Sequence, residues 1–185
     1  MRTNIPFTLF VLLLGTLAAF GLTQPTAHSQ PRSPKAAPTM QPLTTDVIYI
    51  IRHADTQSGN NPDLSAAGVA RVQSLANILQ DEQLSAVYVT NTGRSIQTGT
   101  PLAIADGIST TVYAPFDAES VVQTITNIPG SSTTLVVAHS NTVPLFIQAL
   151  GGPLLKDLEE TEFDRLFAVT LSNDRFIRLQ QLHYE

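Results

Sequence analysis

The chain has no cysteine and no tryptophan, and only 10 of its 185 residues are lysine or arginine, against 15 aspartates and glutamates. Without cysteine there is no disulfide framework, no thiolate metal site, no cysteine nucleophile and no acylated lipoprotein N-terminus. The scarcity of cations deepens along the chain. Arg2, Arg32 and Lys35 fall in the first 45 residues, where no acidic residue stands, so the rest of the chain holds seven basic against 15 acidic residues. A body this acidic has no electrostatic footprint for nucleic acid or for an anionic membrane surface, and neither is expected as a partner.

What is present falls into three parts. Arg2 followed by the apolar stretch "FTLFVLLLGTLAAFGL" and small residues at Ala27–Ser29 read as an export signal over residues 1–29. The alternative is an uncleaved anchor at Ile5–Leu22, near the shortest stretch that spans a bilayer; Pro6 and the scattered threonines favour the signal. Either way the body is expected outside the cytoplasm, periplasmic or extracellular, with no stable membrane contact once a signal is cleaved. Gln24 to Pro42 is rich in Pro, Thr, Ser, Gln and Ala, so residues 30–44 are expected as a flexible linker. Residues 45–185 are long enough for one domain.

In that body short apolar strands alternate with helical patterns. "DVIYIIR" (Asp46–Arg52) is a nearly continuous apolar run, as in a strand buried on both faces. Val69, Val72, Leu75, Ala76 and Leu79 then recur at helical spacing behind a plausible cap at Ser65. A strand at Ser85–Thr90 leads into a helix expected to bend or end near Pro101. A weak strand "TTVYA" precedes a helix from Ala118 to Ile128, and "TTLVVAHS" (Thr133–Ser140) is another buried-type strand. The next helix buries Val143, Phe146, Ile147 and Leu150 and stops at "GGP". Two last strands join at Asn173-Asp174, a pair suited to a tight hairpin. The pattern predicts an α/β fold, a three-layer α/β/α sandwich with a mostly parallel sheet and a C-terminal antiparallel hairpin.

Ligands of such sheets bind beyond the carboxyl ends of the strands. Arg52-His53 follows one predicted strand, His139 another, and Arg94 opens the helix after a third. Each alone is unremarkable, since a single His at a strand end is usually a structural hydrogen-bonder. Together they gather two imidazoles and two guanidiniums in a domain poor in cations. Such a cluster needs an anion, and guanidinium forks match phosphate. Neighbouring arginines also push a histidine toward its neutral, nucleophilic form, so His53 could attack a phosphoester while Arg52, Arg94 and His139 hold the transferring charge. The departing alkoxide would then take a proton from a nearby Asp or Glu. Two histidines without clustered carboxylates make a poor zinc or manganese site, and no metal or other cofactor is expected.

Four stretches appear in a recognisable order: "IIRHADT" after the first strand, "LSAAGVARVQ" at Leu64–Gln73, "TNTGRSIQTG" at Thr90–Gly99, and "VVAHSNTVP" around His139. Over about Asp46 to Leu150 the chain resembles the histidine phosphatase superfamily, with its phosphoglycerate-mutase-like fold, in the smaller branch with few insertions. The resemblance implies hydrolysis of a small-molecule or macromolecular phosphomonoester through a phosphohistidine on His53. It implies phosphate binding by Arg52, Arg94 and His139, with His139 also stabilising the transferring group. Asn141 and the helix start behind it would either bind the anion or cap the helix. The other reading is a phospho-ligand binding module of the same fold with little turnover.

This chain departs from the family pattern at Thr90 (usually Ser), Gly99 (usually Ala) and Ala138 (usually Gly). The proton donor has no motif of its own. Asp117 in "YAPFDAESV" is the first candidate and Glu119 the second, with helix capping an equal explanation for Asp117. Asp55, just after His53, is the third, unless it serves to order its loop.

Overall fold

The computed structural model describes residues 43–184. The expected export signal lies outside them, as does the expected linker apart from Leu43 and Thr44. The elements are β1 (Thr45–Arg52), α1 (Ala66–Leu79), β2 (Ala86–Thr90), α2 (Gly93–Ala105), β3 (Thr110–Tyr113), α3 (Ala118–Thr126), β4 (Thr133–Ala138), α4 (Val143–Ala149), β5 (Arg165–Ser172) and β6 (Arg175–His183). No helix among the described residues is long and apolar enough to cross a membrane.

The six strands form one sheet in the order β3-β2-β4-β1-β5-β6. β1, β2, β3 and β4 run parallel, and β5 and β6 are antiparallel additions. The apolar run of β1 is continuous because both its faces are covered. Ile48 and Ile50 pack with Val121, Ile125, Phe146 and Ile147 of α3 and α4. Tyr49 and Ile51 pack on the other side with Val72, Leu75 and Leu102 of α1 and α2. This is the expected three-layer sandwich. Asn173 and Asp174 both take positive φ (48° and 60°), which turns β5 into β6 in the sense that matches strand twist.

Ser65 caps α1, its hydroxyl accepting from the Gly68 N–H. The buried stripe of α1 is Gly68, Val72, Leu75 and Leu79, whereas Val69 is 61% exposed. The expectation for Val69 fails because Gly68, not its neighbour, is pressed against the chain at Asp55. Pro101 does not end α2, which continues to Ala105. Pro101 is exposed, and so is Gln97, the residue whose carbonyl it leaves without a donor. α3 stops at Thr126, two residues before the expected end, and Ile128 is only half-buried.

The topology sets the site. β1 and β4 are parallel neighbours, with Arg52 opposite Ala138. The chain leaving β1 enters α1 on one face of the sheet, and the chain leaving β4 enters α4 on the other. Neighbouring strands whose connections part to opposite faces leave a crevice at their carboxyl ends, the general place for ligands in open α/β sheets.

Candidate active site

His53 and His139 each come one residue after a strand, and those strands are neighbours in register. The His53 N–H donates to the Ala138 carbonyl (3.0 Å), which extends the β1–β4 ladder to the site. The two rings therefore meet edge to face, with centroids 5.2 Å apart. Arg94 arrives from the first turn of α2, capped by Thr92, and its Nε donates to His53 Nε2 at 3.0 Å. Arg52 is the last residue of β1. These four side chains, with Asn141 and Phe116 among others, line one cavity of about 440 Å³.

The tautomer of His53 follows from its partners. Nδ1 lies 2.9 Å from the Ala54 carbonyl, an acceptor only, so Nδ1 carries the proton. Nε2 receives the Arg94 N–H, so it holds a lone pair, and it is the nitrogen beside the guanidinium. Thr98 steadies this arrangement from α2: its hydroxyl accepts from the Ala54 N–H (3.0 Å) and donates to the Arg94 carbonyl (2.7 Å). His139 is oriented by Thr90, whose hydroxyl is 3.0 Å from Nε2 and 3.1 Å from the Thr92 hydroxyl. The Thr90 departure thus keeps the hydroxyl and uses it. The Gly99 departure is a packing matter, since a methyl there would come within 2.6 Å of Val89 Cγ1.

Both imidazoles are held neutral. Burial is the largest cause for His53, helped by the charges of His139, Arg94 and Arg52 and opposed by the Ala54 hydrogen bond; its pKa is lowered to about 4. Burial, then Arg94 and Arg52, lowers His139 to about 4 as well. A histidine in an unfolded chain titrates near 6.5, so between about pH 6.5 and 4 the unfolded state binds more protons and stability falls as pH is lowered. Above that window both states are neutral and the contribution vanishes. His139→Gln keeps a partner for Thr90 but not the titration. Its melting temperature relative to the unsubstituted protein is expected to rise steadily from pH 7 to pH 4.5; parallel curves would refute the assignment.

Arg52 is placed differently from a side chain left open for an anion. Its Nη1 donates to the main-chain carbonyls of Glu159 (2.9 Å) and Glu160 (3.1 Å), and its Nη2 to Glu160 Oε2 (3.1 Å). The Phe163 ring lies against the guanidinium, 4.0 Å from centroid to carbon. Glu160 also lines the cavity. Neither Glu160 nor Phe163 was a sequence candidate, and no periodicity or motif in the irregular stretch before β5 marks them.

The candidate acids are distributed otherwise than expected. Asp117 and Glu119 do not line the histidine cavity. They line an adjoining depression with Leu145 and Gln148, and Phe116 is the residue shared by both. Asp117 occupies the cap position of α3 but makes no capping hydrogen bond. Asp55 turns away from the cavity to pair with Arg71 (2.6 Å), which accounts for it as the residue that orders its loop. Asn141 is an exposed residue of the cavity wall, and the cap position of α4 belongs to Thr142, so helix capping by Asn141 does not occur. α4 begins at Val143, two residues beyond Asn141. No group of three or more His, Asp or Glu side chains among the described residues is spaced to hold a metal ion.

Comparison with known proteins bears on the fold. No curated protein matches the chain by sequence. The structure is similar to that of the protein histidine phosphatase SixA complexed with tungstate (TM-score 0.61, 18% identity, 74% of this chain and 96% of that one). It is similar to a mycobacterial glucosyl-3-phosphoglycerate phosphatase in complex with VO3 (TM-score 0.58, 13% identity, 77% and 100% of the two chains). It is also similar to a phosphoglycerate mutase from Plasmodium falciparum (TM-score 0.54, 18% identity, 75% and 91%). At such identities these likenesses speak for the fold. Residues 48–116, which hold the first three of the four motifs, match the model of the histidine phosphatase superfamily (branch 1).

Proposed function

We propose that the chain is a phosphatase that hydrolyses a phosphomonoester through a phosphohistidine on His53, without a metal ion. The observation that carries this reading is the state of His53: proton held on Nδ1 by Ala54, lone pair on Nε2, and Arg94 beside that nitrogen. Nε2 attacks phosphorus and the bond to the leaving oxygen breaks. The ring then carries a positive charge, and the Nδ1–H bond to the Ala54 carbonyl stabilises it. Arg94 shifts its N–H from Nε2 to the phosphoryl oxygens, where His139 and Arg52 share the load. Water next attacks phosphorus, the N–P bond breaks, and His53 leaves with its lone pair while the water's proton passes to solvent.

The substrate is a small-molecule or macromolecular phosphomonoester. Structures of similar fold in complex with tungstate and with VO3, both phosphate-like oxyanions, support an anion pocket of this kind. Because Asp117 and Glu119 line the adjoining depression, leaving groups that need little protonation suit the site best. The reading of the chain as a phospho-ligand binding module with little turnover rests on the same observation. The N-terminal segment supports export to a periplasmic or extracellular setting.

The test is a panel of aryl and alkyl phosphates assayed with and without chelator. Aryl phosphates are expected to turn over at least about tenfold faster than alkyl ones, unaffected by chelator. Loss of activity on chelation would sink the covalent mechanism, and silence on every substrate alongside tight vanadate binding would favour the binding module.

A further inference from the structure

The cavity has a cationic floor, yet one carboxylate lines it, and that carboxylate sits on a residue expected to hold phosphate. Arg52 is 8% exposed at its side chain and Glu160 is 88% exposed. The position of the guanidinium does not depend on the Glu160 carboxylate. Two main-chain carbonyls hold Nη1 and the Phe163 ring covers the face of the group. Nε is buried without a partner. Nη2 is therefore the corner of Arg52 that remains for an anion, and Glu160 Oε2 is on it, 3.1 Å away.

We propose that Glu160 competes with the phosphoryl group for Nη2 of Arg52 and so governs release of inorganic phosphate. This rests on the phosphatase reading above and assigns the residue a role in that same site. A free phosphate dianion between two guanidiniums would leave slowly. A tethered carboxylate returns to Nη2 at a high effective concentration each time the anion loosens, and its charge repels the dianion throughout. Being exposed, Glu160 swings into solvent when substrate enters without disturbing packing. The competition moves no proton and breaks no covalent bond.

The experiment compares the full chain with Glu160→Gln, titrating inorganic phosphate by calorimetry at pH 7 and measuring phosphate inhibition of p-nitrophenyl phosphate hydrolysis. Glu160→Gln removes the charge and keeps the shape. Phosphate is expected to bind it about three- to tenfold more tightly, with the inhibition constant falling in parallel, the size of effect one exposed like charge has at contact distance. An unchanged or weaker affinity overturns the proposal. So does a slowing confined to alkyl phosphates with phosphate affinity unchanged, which would make Glu160 the proton donor. The phosphatase reading has its own readout: an unsubstituted chain that binds neither phosphate nor vanadate sinks that reading, whereas tight binding with no gain in Glu160→Gln sinks only the role of Glu160.

Discussion

His53→Ala is expected to reduce phosphatase turnover by at least about 10⁴-fold, to the background of the assay, while phosphate still binds within about tenfold of its original affinity. The two effects separate because His53 supplies the lone pair and the remaining cationic groups supply the anion site. No other group is set up to take over. The chain has no cysteine. Threonine and serine hydroxyls line the cavity, but the only other imidazole there, His139, has its Nε2 engaged by Thr90. Arg94 Nε loses its acceptor in this variant and turns to the bound anion, so affinity is largely kept. The measurements are steady-state hydrolysis of p-nitrophenyl phosphate and calorimetric titration of inorganic phosphate. Retention of more than a few per cent of the activity would remove His53 from the covalent role.

Gly68→Ala is expected to cost about 2–4 kcal/mol of stability, although helix propensity alone predicts a gain of up to about 1 kcal/mol. Gly68 lies in the first turn of α1, where the loop leaving His53 crosses the helix. A methyl built there collides with the Asp55 carbonyl oxygen and comes within 3.0 Å of the carbonyl carbon and 3.1 Å of the Asp55 nitrogen. These are main-chain atoms and cannot rotate away as a side chain would. The same carbonyl accepts the Ser65 N–H at 2.9 Å, so moving it also breaks the entry to α1. Thermal unfolding is expected to drop by roughly 6–12 °C. Activity is expected to fall with it, because Asp55 is two residues from His53. A melting temperature at or above that of the unsubstituted protein would show that the helix and the loop do not meet this closely.

That result bears on how the glycine of "LSAAGVARVQ" is read. In the sequence it is one member of a helical pattern whose obvious apolar neighbour is Val69. Only the contact with Asp55 makes Gly68 the buried position and turns Val69 to solvent. Pro101 teaches the same lesson in reverse. A proline predicts a helix end from local sterics, but α2 runs on to Ala105, so the packing of Leu102 and Ala103 outweighs one lost hydrogen bond.

The sequence by itself determined the features that depend on neighbours along the chain. The period of the apolar residues gave the alternating strands and helices, and the unbroken run of β1 told of cover on both faces. Ser65 gave the cap of α1, Asn173-Asp174 the turn of the hairpin, and the ordered motifs the placing of His53 and His139 at strand ends. Only the tertiary structure decided which carboxylates reach the cavity. Asp117 and Glu119 were the local candidates, yet where they sit depends on how α3 docks on the sheet, and that docking gives them the adjoining depression. Glu160 meets Arg52 across 108 positions of sequence, from a stretch with no periodicity. Such a contact is set by the return of the chain over the ends of β1 and β4, and long-range packing of that kind leaves no local pattern to read.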